Sequence, residues 1–373
     1  MISRSLNNSP PTVLLIGNFL SAMNRGRGVC EDLALRLADA EWRVLTASSK
    51  TTRFARVSDI LQTAWRQRRQ YHVASVEVYS GRAFRWAEAV CKMLRVLDKP
   101  YVLTLHGGNL PRFAVRCPRR LQRLLQSAHA VTVPSRYLLE QMRPYREDLR
   151  LLPNPLDVGR YRYTVRSNPE PRLMWLRSFH SIYNPSLAPR VLAILSREFP
   201  DAELIMVGPD RGDGSSQAAT RTAHELGVLD RITFPGSVSK GDVPECLNRG
   251  DVFLNTTNYD NTPVSVIEAM ACGQCVVSTD AGGIPYLIDD GVDGLLTPRD
   301  DPQRMAAALG RILREPALAE RLSRNARAKA ELFDWSTILP RWQSLLTEAA
   351  FSQGQAKRAR PLITLDNLNH QRE

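Results

Sequence analysis

The sequence predicts an α/β fold in two domains, each a parallel sheet covered by helices. Three observations carry that expectation. Short runs of β-branched and aliphatic residues alternate along the chain with longer segments of helical periodicity, the pattern of βα units. The 373 residues suffice for two domains of ordinary size, each with its own core. Hydrophobic residues make up 43% and charged residues 24%, the balance of a soluble globular protein.

Taken in order, Thr12–Ile16 reads as a first buried strand ending at Gly17. The loop that follows contains Gly26-Arg27-Gly28 and leads into an amphipathic helix over Val29–Ala40. A flexible glycine loop between first strand and first helix is where a Rossmann-like domain approaches a ligand, which makes Gly28 a candidate. Further strands are expected at Arg43–Ala47, Val73–Tyr79 and Tyr101–Leu105, and helices at Phe54–Arg68 and Ala83–Leu97. Tyr101–Leu105 ends at His106-Gly107-Gly108. A histidine closing a parallel strand at the ligand edge, beside glycines that leave it uncovered, reads as functional. Arg112, Arg116, Arg119, Arg120 and Arg123 interleave with apolar residues up to Leu125, a basic amphipathic stretch suited to an anionic bilayer surface. Strands at Ala130–Val133 and Leu149–Leu152 precede Pro153-Asn154-Pro155, which breaks the pattern.

The second half opens with a strand at Arg172–Leu176 and places Arg177 at its carboxyl end. A helix over Ser186–Phe199 and strands at Glu203–Val207 and Ile232–Phe234 follow, then a short helix ending at Arg249. The densest stretch runs from Asp251 to Pro298. Val252–Asn255 is a buried strand, Thr256–Thr262 a polar loop, Val264–Ala271 a helix with Pro263 at its first turn, and Val276–Ser278 a second strand before Gly282-Gly283. That βαβ unit aims a helix N-terminus at the carboxyl edge of the sheet, where its free N–H groups suit a phosphate. Asp260 and Glu268 flank the helix start, and such carboxylates either cap and solvate the helix or accept hydrogen bonds from ribose hydroxyls. Helices at Pro302–Leu313, Ala317–Leu332 and Thr337–Ala350 complete the chain, and the polar tail from Ser352 is expected to be loosely ordered.

No window approaches eighteen uninterrupted apolar residues, and the N-terminal segment reads as a strand rather than a signal peptide. The six cysteines are scattered; Cys272 and Cys275 have C-x-x-C spacing but no second pair, so packing in a reducing compartment is the expectation. The net charge of +12 is uneven: residues 1–160 hold 26 Lys and Arg against 12 Asp and Glu, and the rest 24 against 26. The basic half points to an anionic surface such as membrane lipid, to nucleic acid, or to nothing beyond a solvated face. No zinc finger or RNP-like motif supports specific nucleic-acid binding, and no persuasive metal cluster is present.

Asp260, Glu268, Ala269-Met270-Ala271-Cys272-Gly273, Gly282-Gly283 and Asp290-Gly291-Val292-Asp293-Gly294-Leu295-Leu296 occur in that order. The run resembles the donor signature of retaining nucleotide-sugar glycosyltransferases of the GT-B fold, in their group 1 or family-four branch. The resemblance implies two Rossmann-like domains facing a central cleft. It places an N-terminal acceptor domain over 1–156 and a donor domain over 157–334. A helix over 335–351 would return to the first domain, ahead of the tail 352–373. It also implies a nucleotide-sugar donor, a glycan or lipid-linked acceptor, retention of anomeric configuration, no separate cofactor and no obligatory metal. Cell-surface polysaccharide or glycolipid synthesis, on the cytoplasmic side and peripheral to the membrane, is the expected setting.

Residue by residue, Glu268 would hold the ribose and Asp260 the hydroxyls of the transferred sugar. Arg177 would grip the diphosphate together with N–H groups around Pro263, Val264 and Ser265, while His106 and Gly28 would form the opposite wall. Two departures stand out. The first acidic residue is usually Glu and is Asp260 here, and the usual Lys five residues after the Arg is replaced by Ile182. A GT-B epimerase or phosphorylase, or an inactive nucleotide-sugar-binding relative, would share the fold. An NAD-dependent dehydrogenase lacks its glycine fingerprint here.

Overall fold

The computed structural model describes residues 10–17, 19, 28–107 and 109–358. Gly26, Arg27, Gly108 and the end of the tail lie outside the described residues. Two six-stranded parallel sheets form the framework, as expected for the fold. The first is built from β1 (Val13–Ile16), β2 (Val44–Ala47), β3 (Val73–Val78), β4 (Tyr101–Leu105), β5 (Ala130–Val133) and β6 (Arg150–Leu151), in the order β2-β1-β3-β4-β5-β6. Its strands alternate with α1 (Val29–Asp39), α2 (Arg53–Arg66), α3 (Arg82–Val96), α4 (Leu110–Arg116), α5 (Pro118–Gln126) and α6 (Arg136–Met142).

The second sheet has β7 (Arg172–Leu176), β8 (Glu203–Val207), β9 (Ile232–Gly236), β10 (Val252–Asn255), β11 (Cys275–Thr279) and β12 (Leu295–Thr297), ordered β12-β11-β10-β7-β8-β9. It is flanked by α7 (Leu187–Leu195), α8 (Ser215–Glu225), α9 (Val243–Leu247), α10 (Val264–Ala271), α11 (Pro302–Arg314) and α12 (Pro316–Glu331). The last helix, α13 (Trp335–Arg358), leaves this half.

Both faces of each sheet are covered, which is why the strands read as continuous apolar runs. In β1, Leu14 and Ile16 face the core under α2 to α6, while Val13 and Leu15 face the core shared with α1 and α13. Alternate side chains of one strand therefore serve two cores, each fully buried aliphatic group contributing roughly 1.5–3 kcal/mol. Helix α13 belongs to the first sheet by packing: Trp335, Ile338, Trp342, Leu345 and Leu346 join Val13, Leu15 and Leu37. The two passages between the halves run side by side, with Leu156 N–H donating to the Phe333 carbonyl (2.8 Å) and Trp335 N–H to that of Leu156 (3.2 Å).

Three local expectations change. The basic stretch Arg112–Leu125 forms two helices, because Pro118 cannot continue α4 and instead starts α5. Helix α13 continues past Ala350 to Arg358, so the first residues of the expected loose tail are helical. Pro263 is the extended residue that caps α10, one position before its first turn, because ψ is 116° there. Its fixed φ of −70° still sets the entry of the helix.

Candidate functional site: the facing sheet edges

In the second sheet the strand order reverses between β7 and β10, and open α/β sheets offer a ligand crevice at that point. Arg177 leaves the end of β7, and the loop Thr256–Thr262 leaves the end of β10 toward the start of α10. Arg177, Asp260, Glu268 and Ser265 therefore gather at one edge.

Arg177 is fixed from several sides. Its N–H donates to the Val207 carbonyl (3.0 Å), and a Cβ on Gly208 would lie 1.7 Å from the Arg177 carbonyl oxygen, so only glycine fits there. The guanidinium stacks on Tyr183 at 4.4 Å and forms an ion pair with Asp260. Burial pushes its pKa below the usual value for arginine, without removing the charge at neutral pH. Arg177 Nε and the Ser265 hydroxyl are buried with no hydrogen-bond partner among the described residues. Buried donors without partners are costly, and at a sheet edge beside a helix N-terminus they match the needs of an oxyanion.

Ile182, where the resembling enzymes carry lysine, turns a 38%-exposed side chain outward. Its carbonyl accepts from Asn258 N–H (2.8 Å) and the Thr257 hydroxyl (3.3 Å), and that of Tyr183 from the Thr256 hydroxyl (2.8 Å). The segment stitches the two loops of the site together but supplies no second cation.

Glu268 is half-buried and accepts a hydrogen bond from Tyr161 (2.8 Å). Burial raises its pKa; the Tyr161 hydrogen bond and the charges of Lys240, Arg177 and Arg160 act in the opposite direction. Asp260 accepts from the Asn261 N–H through Oδ1 (2.7 Å) and meets Arg177 through Oδ2. Gly282 and Gly283 press against this loop: added Cβ atoms would lie 2.4 Å from the Asp260 carbonyl oxygen and 1.9 Å from that of Asn261.

The first sheet reverses its order between β1 and β3. Here Glu77, near the end of β3, occupies the space that a Cβ on Gly17 would need, 2.7 Å away. Glu77 accepts from the Tyr79 hydroxyl (3.2 Å), and its other oxygen lies 3.5 Å from His106 Nε2. His106 continues the β3–β4 pairing through its N–H to the Val78 carbonyl (2.8 Å) and stacks on Tyr79 at 5.1 Å. It is 8% exposed, and burial pushes its pKa down to about 4, so the imidazole is neutral at neutral pH. Gly28 caps α1, where its N–H donates to the Glu31 carboxylate (2.8 Å). Val264 begins α10 with a 44%-exposed side chain.

Arg177, Asp260, Glu268, Pro263, Val264 and Ser265 thus share the edge of the second sheet, while His106 and Gly28 occupy that of the first. Tyr161, Glu77 and Tyr79 were not anticipated. Glu77 had a legible signal, a carboxylate near the end of an otherwise apolar strand. Tyr161 sits in an irregular segment with no periodicity to mark it. Among the described residues, no group of three or more His, Cys, Asp or Glu side chains could hold a metal ion. Cys272 and Cys275 are free and buried.

Two doubly wound parallel domains with a charged switch point on one and a histidine edge on the other define the GT-B class. The model of the Glycosyl transferases group 1 family matches residues 167–329, and that of Glycosyltransferase Family 4 matches residues 29–160. The chain belongs to the group 1 glycosyltransferases.

Among curated proteins it is 29% identical over 185 residues to a D-inositol 3-phosphate glycosyltransferase of Mycobacterium ulcerans, covering 48% of this chain and 39% of that protein. The counterpart from Mycolicibacterium smegmatis is 31% identical over 182 residues, covering 48% and 41%. The match thus spans about two fifths of the length of these relatives. Among solved structures, sucrose-phosphate synthase from Thermosynechococcus elongatus superposes with a TM-score of 0.73 at 19% identity, covering 93% of this chain and 100% of that one. Anabaena HepE in complex with UDP and glucose gives 0.69 at 17% identity, covering 91% and 100%.

Proposed function

We propose that this chain transfers a glycosyl group from a nucleotide-sugar donor to a hydroxyl of a glycan or lipid-linked acceptor, with retention of anomeric configuration. The observation that carries the reading is the convergence of Arg177, Asp260, Glu268 and the start of α10 at the switch point of the second sheet. The bond from the anomeric carbon to the diphosphate breaks, and its electron pair leaves on the phosphate oxygen. The acceptor oxygen bonds to that carbon and releases its proton. Arg177 and the N–H groups of Val264 and Ser265 offset the charge that develops on the leaving diphosphate. Glu268 holds the ribose hydroxyls, with Tyr161 fixing one of its oxygens. Asp260 holds hydroxyls of the transferred sugar once the diphosphate competes for Arg177. His106, neutral and backed by Tyr79, faces the sugar and the acceptor from the first sheet, and Gly28 lets the backbone come close. The nucleotide sugar is a substrate, and no separate cofactor is needed.

The same reading places the enzyme on the inner face of the cytoplasmic membrane. Helices α4 and α5 present exposed Arg112, Arg116, Arg119 and Arg123 beside a 77%-exposed Val115, while Arg120 is occupied by Glu88. Phe54, on α2 over the same core, is 83% exposed. No helix among the described residues is long and apolar enough to cross a membrane. Exposed cations with isolated apolar side chains among them suit reversible docking on anionic lipid, each cation contributing on the order of 1 kcal/mol.

The experiment is a thermal-shift screen of UDP-, GDP-, ADP- and dTDP-sugars, followed by product analysis with and without acceptor. Stabilisation by one nucleotide class and acceptor-dependent transfer with a retained anomer support the reading. An altered free sugar nucleotide as the product would point to an epimerase, and binding without turnover to an inactive relative.

A further inference from the structure

Both residues next to Asp260 are bonded to the first domain. Ser135, which caps α6 by accepting the Leu138 N–H (3.1 Å), donates its hydroxyl hydrogen to Asn261 Oδ1 (2.5 Å). One turn along, the Tyr137 hydroxyl meets that of Tyr259 at 2.9 Å, and the rings pack edge-on with centroids 6.2 Å apart. Tyr137 also packs edge-on against Tyr286 at 5.8 Å, just beyond Gly282-Gly283. From the other side, Gly283 N–H donates to the Asp260 carbonyl (2.7 Å), and neither glycine leaves room for the loop to move back.

We infer that Ser135 and Tyr137 are positioning residues for the donor site: they hold Tyr259 and Asn261, and through them set the Asp260 carboxylate against Arg177. The inference rests on the proposed transferase reading for its catalytic consequence, but not for its geometry. A loop gripped at both neighbours has its central carboxylate fixed only while the domains are together. Release of α6 would remove the Tyr137 and Ser135 anchors from Tyr259 and Asn261, leaving the Asp260 loop held from the side of Arg177 and the glycine turn alone. Closure of the cleft is thereby linked to assembly of the donor-sugar grip, and the acceptor-side domain contributes to a site whose charged groups all lie on the other.

The test is a double-mutant cycle with Tyr137→Phe and Tyr259→Phe, plus Ser135→Ala. The sugar nucleotide is whichever of the UDP-, GDP-, ADP- and dTDP-sugars stabilises the wild type most. Each phenylalanine variant should lower kcat roughly 5- to 10-fold, as loss of one neutral hydrogen bond does, and the double variant should be no worse than either alone. Affinity for the corresponding nucleoside diphosphate, which competes with Asp260 for Arg177, should not fall. Small-angle scattering reads the same latch without catalysis: Ser135→Ala/Tyr137→Phe should show a larger radius of gyration than the wild type. Unchanged kcat in the single variants, additive losses, or diphosphate affinity falling in step with kcat would overturn the inference. An unchanged radius of gyration would overturn it too. A wild type that binds no sugar nucleotide would fail the transferase reading instead, and the scattering comparison would still decide the latch.

Discussion

The two sheet edges differ in what holds their functional groups. On the second, Arg177 is flanked by Tyr183, Asp260 and the backbone at Gly208, and the Asp260 loop is wedged by Gly282-Gly283. On the first, His106 is 8% exposed between Tyr79 and Glu77, and no described atom lies within 4 Å of where a Cβ on Gly107, with φ at +89°, would point. UDP-, GDP-, ADP- and dTDP-sugars all present a diphosphate and a closely similar pentose, so in the proposed reading the groups that would meet them gain from being fixed in advance. Acceptors differ, and the facing edge offers a neutral, buried aromatic stack and a glycine that no described atom crowds.

The largest effect that bears on this contrast is expected at Arg177. Arg177→Ala removes the cation and leaves the Asp260 carboxylate buried without it, a loss of about 3–5 kcal/mol for a buried pair broken on one side. Turnover with a nucleotide sugar should fall about 100- to 1,000-fold, as on removing one group that stabilises a developing oxyanion. Ile182→Lys, assayed beside it, sharpens the point: wild-type activity at or above that of Ile182→Lys means one cation with helix-end N–H groups suffices. Activity found only in Ile182→Lys would make the natural chain a binder.

Next is a pair of glycines. Gly283→Ala drives a methyl group into the Asn261 carbonyl and should cost about 1–3 kcal/mol of stability along with donor turnover, as overpacking does. Gly107→Ala meets no neighbour and should cost only the left-handed backbone, about 1–2 kcal/mol. Equal loss of donor affinity in both would erase the distinction between the two edges. Thermal melts and donor titrations read it.

His106→Ala should lower kcat about 100-fold, the low end of the range for a positioned proton-transfer group, with donor affinity nearly unchanged. Burial holds the imidazole near a pKa of about 4, so it is neutral above that value and protonates only as pH falls through it. The wild-type kcat should therefore show no histidine step between about pH 6 and 8. Unaltered kcat in folded His106→Ala would return this residue to the core.

The smallest effect is at Tyr161. Tyr161→Phe removes one hydrogen bond to Glu268, about 1 kcal/mol and roughly a 5-fold loss of donor affinity. In the proposed reading Glu268 would hold ribose as a carboxylate; burial raises its pKa, so donor affinity should be present above that pKa and lost as pH falls through it. The Tyr161 hydrogen bond lowers that pKa, so in Tyr161→Phe the loss on acidification should begin at a higher pH. A superimposable pH profile would reduce Tyr161 to packing.

Much of this framework was legible in the chain because strands buried on both faces leave unbroken apolar runs. Val252–Asn255, Val264–Ala271 and the glycines that follow declare a βαβ unit without any tertiary information. Arg177 was legible at the end of a strand, and Asp260 and Glu268 by their place in the ordered run from Asp260 to Leu296 that carries the family resemblance. The contacts between distant segments were not. Tyr161 and Glu268 stand 107 residues apart, Tyr137 and Tyr259 122, and no local pattern links them. Nor could periodicity show that Pro118 divides the basic stretch, since both helices keep their leucines in register with one core.

The central claim is that the switch point of the second sheet holds a nucleotide sugar by its ribose and diphosphate. It is tested most directly by calorimetric titration of wild type and Glu268→Gln with the best-binding nucleoside diphosphate and with its 2′,3′-dideoxy analogue. Charge-assisted hydrogen bonds contribute roughly 1.5–3 kcal/mol each, so Glu268→Gln should lose about 100-fold in affinity for the ribonucleotide. The dideoxy analogue should bind wild type as weakly as the ribonucleotide binds the variant, and the variant should not distinguish the two. Equal affinity of wild type and Glu268→Gln for the ribonucleotide, with both proteins folded, would contradict the account.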